Sequence, residues 1–254
     1  MFNLSNKIAV VTGGGSGIGR AISVLFARQG ARVHILEVAE NAASEVVNEI
    51  ATAGGQATVH VCNVASQADV LAVFETIGSV QILVNNAGIA HVGNLEGTAE
   101  ADFDRIFTVN VKGAYNCLYA AVPRMKAGGG GVILNMASVA ALVGIPDRFA
   151  YSMSKGAMLS MTQSVAKDYL KANIRCNSIS PARVHTPFVD GFLAKNYPGN
   201  EAEMFAKLAA SQPIGRMAKP EEIATLALFL CADEAGFITG CDYPIDGGFV
   251  KLNN

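Results

Sequence analysis

The chain has 254 residues, of which 51% are hydrophobic and 16% are charged, and its formal net charge is −2 at pH 7. A single α/β domain over residues 1–254 is usual at this size, and the lack of a basic cluster argues against nucleic acid as a partner. No apolar run reaches the roughly 18 residues of a membrane span and no signal-peptide pattern is visible, so we expect a cytoplasmic protein without a membrane partner.

A short β-branched run at residues 8–11 leads into a glycine-rich turn, and a helical pattern follows through Arg28. The turn places Gly13, Gly17 and Gly19 in a Gly-x-x-x-Gly-x-Gly spacing. In such a strand–turn–helix unit, glycines let the backbone approach a pyrophosphate, and the helix N-terminus offers it free N–H groups. The alternative is a tight turn that binds nothing.

The second predicted strand, residues 32–36, ends at Glu37. A carboxylate at this point accepts hydrogen bonds from the ribose hydroxyls of an adenosine and repels the additional phosphate of NADP. Because no arginine follows directly to neutralise such a phosphate, the sequence favours NAD over NADP. The alternative is a solvated loop glutamate.

Strands and helices continue to alternate along the chain. Helices are predicted at residues 40–52, 67–77, 101–126, 149–170 and 220–231, and strands at 57–62, 80–84, 132–138, 174–179 and near 244–245. This alternation predicts one doubly wound, parallel α/β sheet of about seven strands, of the Rossmann type, with helices on both faces. The pattern loosens at about 185–215 around a short helix at 201–210, which predicts a substrate lid.

Tyr151 and Lys155 stand four residues apart on one predicted helix, so their side chains point to the same side. A cation beside a phenol lowers its pKa toward working pH, where a general acid or base is most useful. Ser138, at the end of the fifth strand, is placed to reach the same pocket. Asn110 lies in the middle of a long predicted helix, where its side chain or a disturbed helix bond is suited to hold a water. The alternative is an ordinary helix face with an extended lysine.

With these motifs in this order, the chain resembles the short-chain dehydrogenase/reductase family over residues 7–248. Residues 12–19 are similar to the family's cofactor loop, 85–88 to its fourth-strand signature and 181–187 to its nicotinamide-side loop. The resemblance implies hydride transfer between a nicotinamide cofactor and a secondary alcohol or ketone. It also implies a homotetramer.

The resemblance further implies a catalytic tetrad. In it Tyr151 moves the alcohol proton, Ser138 holds the substrate oxygen, Lys155 lowers the pKa of Tyr151 and binds the ribose, and Asn110 holds a water. The residues implied to bind the cofactor are Gly13, Ser16, Gly17, Ile18, Gly19, Glu37, Asn63, Val64, Asn86, Ala87, Gly88, Tyr151, Lys155, Pro181, Val184 and Thr186. Two positions depart from the family pattern, Asn63 in place of an aspartate and Ala182 in place of a glycine.

Two arginines predict the kind of substrate. Arg148 and Arg183 occupy positions that face the substrate in the family, and a guanidinium binds a carboxylate through two parallel hydrogen bonds. We therefore expect a hydroxy acid or a sugar-derived acid. The implied substrate-binding residues are Ser138, Arg148, Tyr151 and Arg183. The alternative is a salt bridge, with Asp147 or another acid, or two solvated side chains.

The cysteines and histidines predict no metal site. Five widely spaced cysteines, mostly within apolar runs, are expected to be reduced and buried: Cys62, Cys117, Cys176, Cys231 and Cys241. The four histidines show no ligand spacing. His91 and His185 are candidates for substrate contact, with ordinary loop residues as the alternative.

Three rival functions remain open. Within the enzyme class, the chain is alternatively an NADPH-dependent ketoreductase of the 3-oxoacyl-thioester type. Ser152 and Lys155 also form the S-x-x-K pattern of serine acyl-enzymes, although the companion S-D-N and K-T-G motifs are missing. The third rival is a nucleotide-sensing protein without catalysis.

Overall fold

The computed structural model describes residues 2–252, apart from the side chain of Asn196. The strands in this part of the chain are β1 (Ile8–Thr12), β2 (Arg32–Glu37), β3 (Gln56–Val61), β4 (Ile82–Asn85), β5 (Gly131–Met136), β6 (Ile174–Pro181) and β7 (Asp242–Ile245). They form one parallel sheet in the order β3-β2-β1-β4-β5-β6-β7. The predicted doubly wound sheet of the Rossmann type is confirmed.

Helices cover both faces of the sheet. They are α1 (Gly17–Arg28), α2 (Glu40–Thr52), α3 (Gln67–Ile77), α4 (Glu100–Ile106), α5 (Gly113–Ala127), α6 (Phe149–Asp168), α7 (Pro187–Asn196), α8 (Glu201–Ala210) and α9 (Pro220–Cys231). Helices α1, α2 and α9 pack in one hydrophobic cluster against one face, while α3, α5 and α6 pack in a second cluster against the other.

The strands bury side chains on both faces, which explains their nearly continuous apolar sequence. Ala9 and Val11 of β1 contribute to one cluster, whereas Val10 between them contributes to the other. Side chains alternate across a strand, so a strand covered by helices on both sides must be apolar at every position. This double coverage fixes the sheet register and therefore the edge at which the strands end.

The prediction of one continuous α-helix at residues 101–126 is wrong. α4 and α5 are separated by a π-helical segment, Phe107–Lys112, which contains Asn110. A π-helical turn carries its hydrogen bonds from i to i+5 and is found frequently at functional sites. The disturbed helix expected around Asn110 is therefore present.

Three smaller predictions differ from the structure. The region at 185–215 contains a second helix, α7, ahead of the predicted helix α8. Cys241 is exposed, whereas the other four cysteines are buried. The fifth strand ends at Met136, before Ser138.

One domain over residues 1–254 with a lid at about 185–215 stays a prediction. Among the described residues, no helix has the length and apolar character needed to cross a membrane.

Candidate active site

A cavity of roughly 650 Å³ lies where the strands end. Its walls come from residues at or just after the ends of β1 to β6, together with the first turns of α6 and parts of α7 and α8. The strand order reverses between β1 and β4. Open α/β sheets bind ligands beyond the carboxyl ends of the strands at such a reversal. The cavity therefore lies where this fold accommodates a ligand.

The glycine turn after β1 forms one wall. Gly13 and Gly17 have φ angles of +63° and +51°, in the left-handed region where a side chain is strained. A Cβ on Gly17 would also lie 3.2 Å from Cγ2 of Thr186 on the facing wall. Within the described chain, Ser16 makes no side-chain cap for α1, so first-turn N–H groups are left for an anion. The turn fits a diphosphate.

Glu37 is held in place by the backbone around it. Its Oε2 accepts the N–H of Gly15 at 3.2 Å, and its Oε1 accepts the N–H of Val38 at 2.9 Å. The carboxylate lines the cavity in this fixed orientation. Asn63 also lines it, and because its Oδ1 accepts the N–H of Ala65 at 3.1 Å, its NH₂ group is the one available to a ligand.

Asn86 supports the glycine turn from the end of β4. Its Nδ2 donates to the carbonyl oxygens of Thr12 and Gly13 at 3.0 and 3.1 Å. The hydroxyl of Thr12 accepts the N–H groups of Asn86 and Ala87, both at 3.0 Å. These bonds connect two strand ends that are distant in sequence, so the turn is rigid before any ligand binds.

Tyr151, Ser138 and Lys155 meet in the cavity wall. Lys155 is buried and its Nζ donates to the carbonyl oxygen of Met136 at 2.7 Å, at the end of β5. The same Nζ lies 5.7 Å from the centroid of the Tyr151 ring. Ser138 and Tyr151 are joined by a side-chain hydrogen bond. Adjacent turns of α6 and the end of β5 thus bring three polar groups together.

The acid–base balance of this trio differs from the expected one. Burial raises the pKa of the Tyr151 phenol, and the effects that lower this pKa come from the Ser138 hydrogen bond and the Arg148 charge. Burial also lowers the pKa of Lys155 to about 8. In the chain alone, desolvation of the phenol outweighs its neighbours, and the lowering of the Tyr151 pKa by Lys155 stays a prediction.

Asn110 lies behind the cavity wall. Its Oδ1 accepts the N–H of Ile89 at 2.8 Å, and its Nδ2 donates to the carbonyl of Ile89 at 2.9 Å and to Oγ of Ser154 at 3.0 Å. Both polar atoms of the side chain are thereby engaged with protein. Both Nδ2 hydrogens are used, whereas Oδ1 keeps a second acceptor position, and the water expected at Asn110 stays a prediction.

Arg148 and Arg183 line the cavity together. Nη1 of Arg148 donates to the carbonyl of His91 at 3.3 Å, and its guanidinium lies 5.9 Å from the Phe192 ring centroid. Nε of Arg183 donates to Oγ of Ser211 at 3.1 Å. Burial lowers the pKa of Arg183, and the positive charge of Arg148 lowers it further. Within residues 2–252 neither arginine forms a salt bridge, so the salt-bridge alternative is wrong.

The histidines and Ser152 do not line the described part of the cavity wall. Nδ1 of His91 lies 3.8 Å from Asp102, and Nε2 of His185 lies 2.9 Å from Oδ1 of Asp190. Both histidines therefore belong to loop contacts. Ser152 is not among the described lining residues, so the S-x-x-K hydrolase alternative gains no support from the cavity.

Comparison with known proteins identifies the family. Residues 13–250 match the family model described as enoyl-(acyl carrier protein) reductase. An uncharacterized oxidoreductase of Thermotoga maritima is 43% identical, over 97% of this chain and 98% of the relative. A short-chain type dehydrogenase/reductase from Mycobacterium marinum superposes with a TM-score of 0.91 at 32% identity, covering 98% of each chain. The chain belongs to the short-chain dehydrogenase/reductase family.

Solved short-chain dehydrogenases similar to this chain hold either form of the nicotinamide cofactor. L-sorbose reductase from Gluconobacter frateurii, solved with NADPH and L-sorbose, has a TM-score of 0.94 at 31% identity over 98% of both chains. A 7α-hydroxysteroid dehydrogenase, solved with NADH and 7-oxo glycochenodeoxycholic acid, has a TM-score of 0.90 at 34% identity over 100% of this chain and 98% of that one. The present chain is accordingly an NAD(P)-dependent oxidoreductase of alcohols or ketones.

The structure gathers nearly all of the residues that the resemblance to short-chain dehydrogenases implied. Ser138, Arg148, Tyr151, Lys155 and Arg183 line the cavity, and so does every implied cofactor residue except Gly19. Gly19 lies beneath the turn, where a Cβ would overlap the carbonyl oxygen of Gly13. The roles of all these residues stay predictions.

Sequence reasoning missed several contacts in the site. The hydrogen-bond partner of Lys155 is a backbone carbonyl. Because every residue has a backbone carbonyl, the residue types in the sequence do not indicate this contact. Ser154, next to Lys155, holds Asn110 and donates to the carbonyl of Tyr151 at 2.7 Å. Ser211 holds Arg183 from the end of α8. The one available signal was the small polar residue at position 154 inside a helix, which is typical of a local hydrogen bond.

Proposed function

We propose that this chain oxidises a secondary alcohol that carries a carboxylate, a hydroxy acid or sugar-derived acid, with NAD as the hydride acceptor. The observation that carries the substrate class is the pair Arg148 and Arg183. Both guanidinium groups line one cavity, and the acidic residue among its described lining residues is Glu37, which is held by the glycine turn.

Two partly buried cations without a carboxylate beside them are unfavourable in the free protein. A substrate carboxylate placed between them relieves this repulsion and gains charge-assisted hydrogen bonds. The rest of the substrate end is mostly apolar, with Ile145, Phe188 and Phe192 in its wall. Such a wall suits a short carbon chain and excludes water from the reacting atoms.

The chain's own residues supply the proton chemistry. A bound nicotinamide dinucleotide supplies the acceptor or donor of hydride. The Tyr151 side chain in its phenolate form takes the hydroxyl proton of the substrate and becomes the phenol, and the Ser138 hydroxyl, hydrogen-bonded to Tyr151, orients the same oxygen. The Lys155 ammonium, fixed by the Met136 carbonyl, keeps a positive charge beside the ring of Tyr151. Its charge favours the phenolate form during proton transfer.

The preference for NAD rests on Glu37. Backbone N–H groups of Gly15 and Val38 hold its carboxylate at the cavity wall. From this position it accepts ribose hydroxyls and repels a 2′-phosphate. The same argument disfavours the rival NADPH-dependent ketoreductase of 3-oxoacyl thioesters.

A substrate comparison tests the proposal. The rate of NADH formation is measured with 3-hydroxybutyrate, gluconate and the methyl ester of 3-hydroxybutyrate. We expect kcat/KM to favour a hydroxy acid, and Arg148→Ala and Arg183→Ala to raise its KM about tenfold or more while the ester is unaffected. Arg105→Ala removes a charge that is paired with Asp102 outside the cavity, and it serves as the matched control. Equal changes for acid and ester would remove the carboxylate from the proposal.

Assembly into a homotetramer is part of the same proposal. Aromatic side chains of α5, α6 and the π segment are exposed, namely Phe107, Tyr115, Tyr119 and Phe149. An apolar surface of this kind is typical of a contact with another subunit. Light scattering at micromolar concentration measures the mass, and a monomer would contradict the expectation.

A further inference from the structure

The hydroxyl of Ser211, just after α8, is fully occupied by hydrogen bonds. It donates to the carbonyl of Leu208 at 2.7 Å. It accepts Nε of Arg183 at 3.1 Å and Nε2 of Gln212 at 3.0 Å. A hydroxyl has one donor and two acceptor positions, and all three are used here. Ser211 is therefore held in one orientation, and it holds Arg183 in turn.

Gln212 makes this arrangement rigid. Its side chain is buried, with 2% exposure, and its Oε1 accepts the backbone N–H of Arg183 at 3.4 Å. The main chain and the guanidinium of Arg183 are thus both tied to the end of α8. An arginine normally loses much side-chain entropy when it binds a ligand. The side chain of Arg183 is already restricted before a ligand binds.

The bond from Nε also fixes the plane of the guanidinium. Because the group is planar, engaging Nε determines where both Nη groups point. Arg183 lines the cavity, and its Nη groups have no hydrogen-bond partner among the described residues. With Nε engaged by Ser211, the two Nη groups remain to bind a carboxylate end-on through two parallel hydrogen bonds.

We propose that Ser211 is a positioning residue that determines specificity for a carboxylate, because its hydroxyl orients the guanidinium of Arg183 for bidentate binding. The inference rests on the proposed function and deepens it. Ser211 belongs to the segment predicted as a lid. The end of α8 and the residue after Ser211 line the cavity with Leu208 and Gln212, and Ser211 orients Arg183 there.

The test compares Ser211→Ala with Ser211→Thr, which restores the hydroxyl. KM and kcat are measured at saturating NAD for the best hydroxy acid among 3-hydroxybutyrate and gluconate, and for the methyl ester of 3-hydroxybutyrate. We expect Ser211→Ala to raise the KM of the acid about tenfold. The kcat for the acid and the KM of the ester should stay within about twofold, and Ser211→Thr should restore the KM of the acid.

A double-mutant comparison separates positioning from a general structural effect. If Ser211 acts through Arg183, the variant Arg183→Ala/Ser211→Ala has the same KM for the acid as Arg183→Ala alone. Ser211→Cys keeps the shape of the side chain and weakens its acceptor, and it replaces Ser211→Ala if that variant does not fold. It should raise the KM of the acid in the same direction.

The outcomes distinguish this inference from the proposed function. A wild-type enzyme that does not prefer any hydroxy acid over the ester overturns both. A wild-type preference for the acid that persists unchanged in Ser211→Ala overturns the role of Ser211 alone. Equal increases in KM for acid and ester also overturn it, since they indicate a structural effect of α8.

Discussion

Replacing Glu37 by glutamine should shift the cofactor preference of this enzyme toward NADP. Glutamine has the same shape and keeps an oxygen that can accept the N–H of Gly15, which Oε2 of Glu37 accepts at 3.2 Å. The glycine turn should therefore stay intact. The change removes the negative charge at the cavity wall and one acceptor, since the amide NH₂ group cannot accept the N–H of Val38 that Oε1 of Glu37 accepts at 2.9 Å.

The size of the effect follows from electrostatics. A 2′-phosphate carries between one and two negative charges. Two unit charges about 4 Å apart repel each other by about 1 kcal/mol in water and by about 4 kcal/mol at an effective dielectric constant of 20. Glu37 is half-buried, so its environment lies between these limits. An intermediate value of about 2 kcal/mol corresponds to a roughly thirtyfold change in preference.

The assay is the ratio of kcat/KM for NAD to kcat/KM for NADP, measured with one alcohol substrate. We expect Glu37→Gln to lower this ratio between tenfold and a hundredfold. Glu40→Gln, which removes an equal charge from the first turn of α2 outside the described cavity lining, is the matched control. A change of less than threefold in Glu37→Gln, or the same change in both variants, would refute the electrostatic reasoning.

Three further predictions concern protons. Tyr151→Phe should reduce turnover at least a hundredfold while NAD binding, followed by quenching of protein fluorescence or by calorimetry, is retained; substantial residual turnover would remove Tyr151 from its role. Because burial raises the pKa of Tyr151, the phenol is protonated at neutral pH. Initial rates of alcohol oxidation should therefore increase as the pH rises from 7 to 9, and a rate that does not change with pH would contradict this. The pKa of His34 is lowered to about 4 by burial, by His60 and by Arg32. Between pH 6.5 and 4 the unfolded chain therefore binds more protons than the native one, and the native state loses stability as the pH falls through this window. Solvent screening of the half-buried ring reduces the loss to about 1–2 kcal/mol, and urea unfolding at pH 7.5 and 5 should show a smaller loss in His34→Asn than in the wild type; equal losses would exclude His34 as the cause.

Sheet architecture was predictable because strands and helices differ in the period of their apolar residues. Strands buried on both faces are nearly continuously apolar, as at Ile82, Leu83 and Val84 of β4, and the amphipathic helices between them favour a doubly wound topology. The residues that indicate where a helix starts are also close together in the sequence. Pro220 and the two glutamates after it mark the beginning of α9, where the Glu222 carboxylate accepts the N–H of Lys219 at 2.8 Å.

The remaining features depend on contacts that no local pattern encodes. The π segment around Asn110 has the same residue types as an α-helix, and it packs against α6, a contact that the local sequence does not specify. α7 was missed because Phe188 stays exposed and the helix lacks a strong apolar stripe. The pKa of Tyr151 depends on how deeply the phenol is buried, which spacing along a helix does not specify.

Gly17 and Thr186 approach each other in the cavity wall, although they lie 169 residues apart in the sequence (186 − 17). The two halves of the pocket are therefore synthesised far apart in time. The central strand β1 is paired on both sides only after β4 has been synthesised. Contacts of such long range make folding slow. A growing polypeptide on the ribosome has no complete pocket until Phe249 has emerged, since Leu208, Gln212 and Phe249 also line it. Small molecules that stabilise the finished enzyme therefore give no assistance to its early folding.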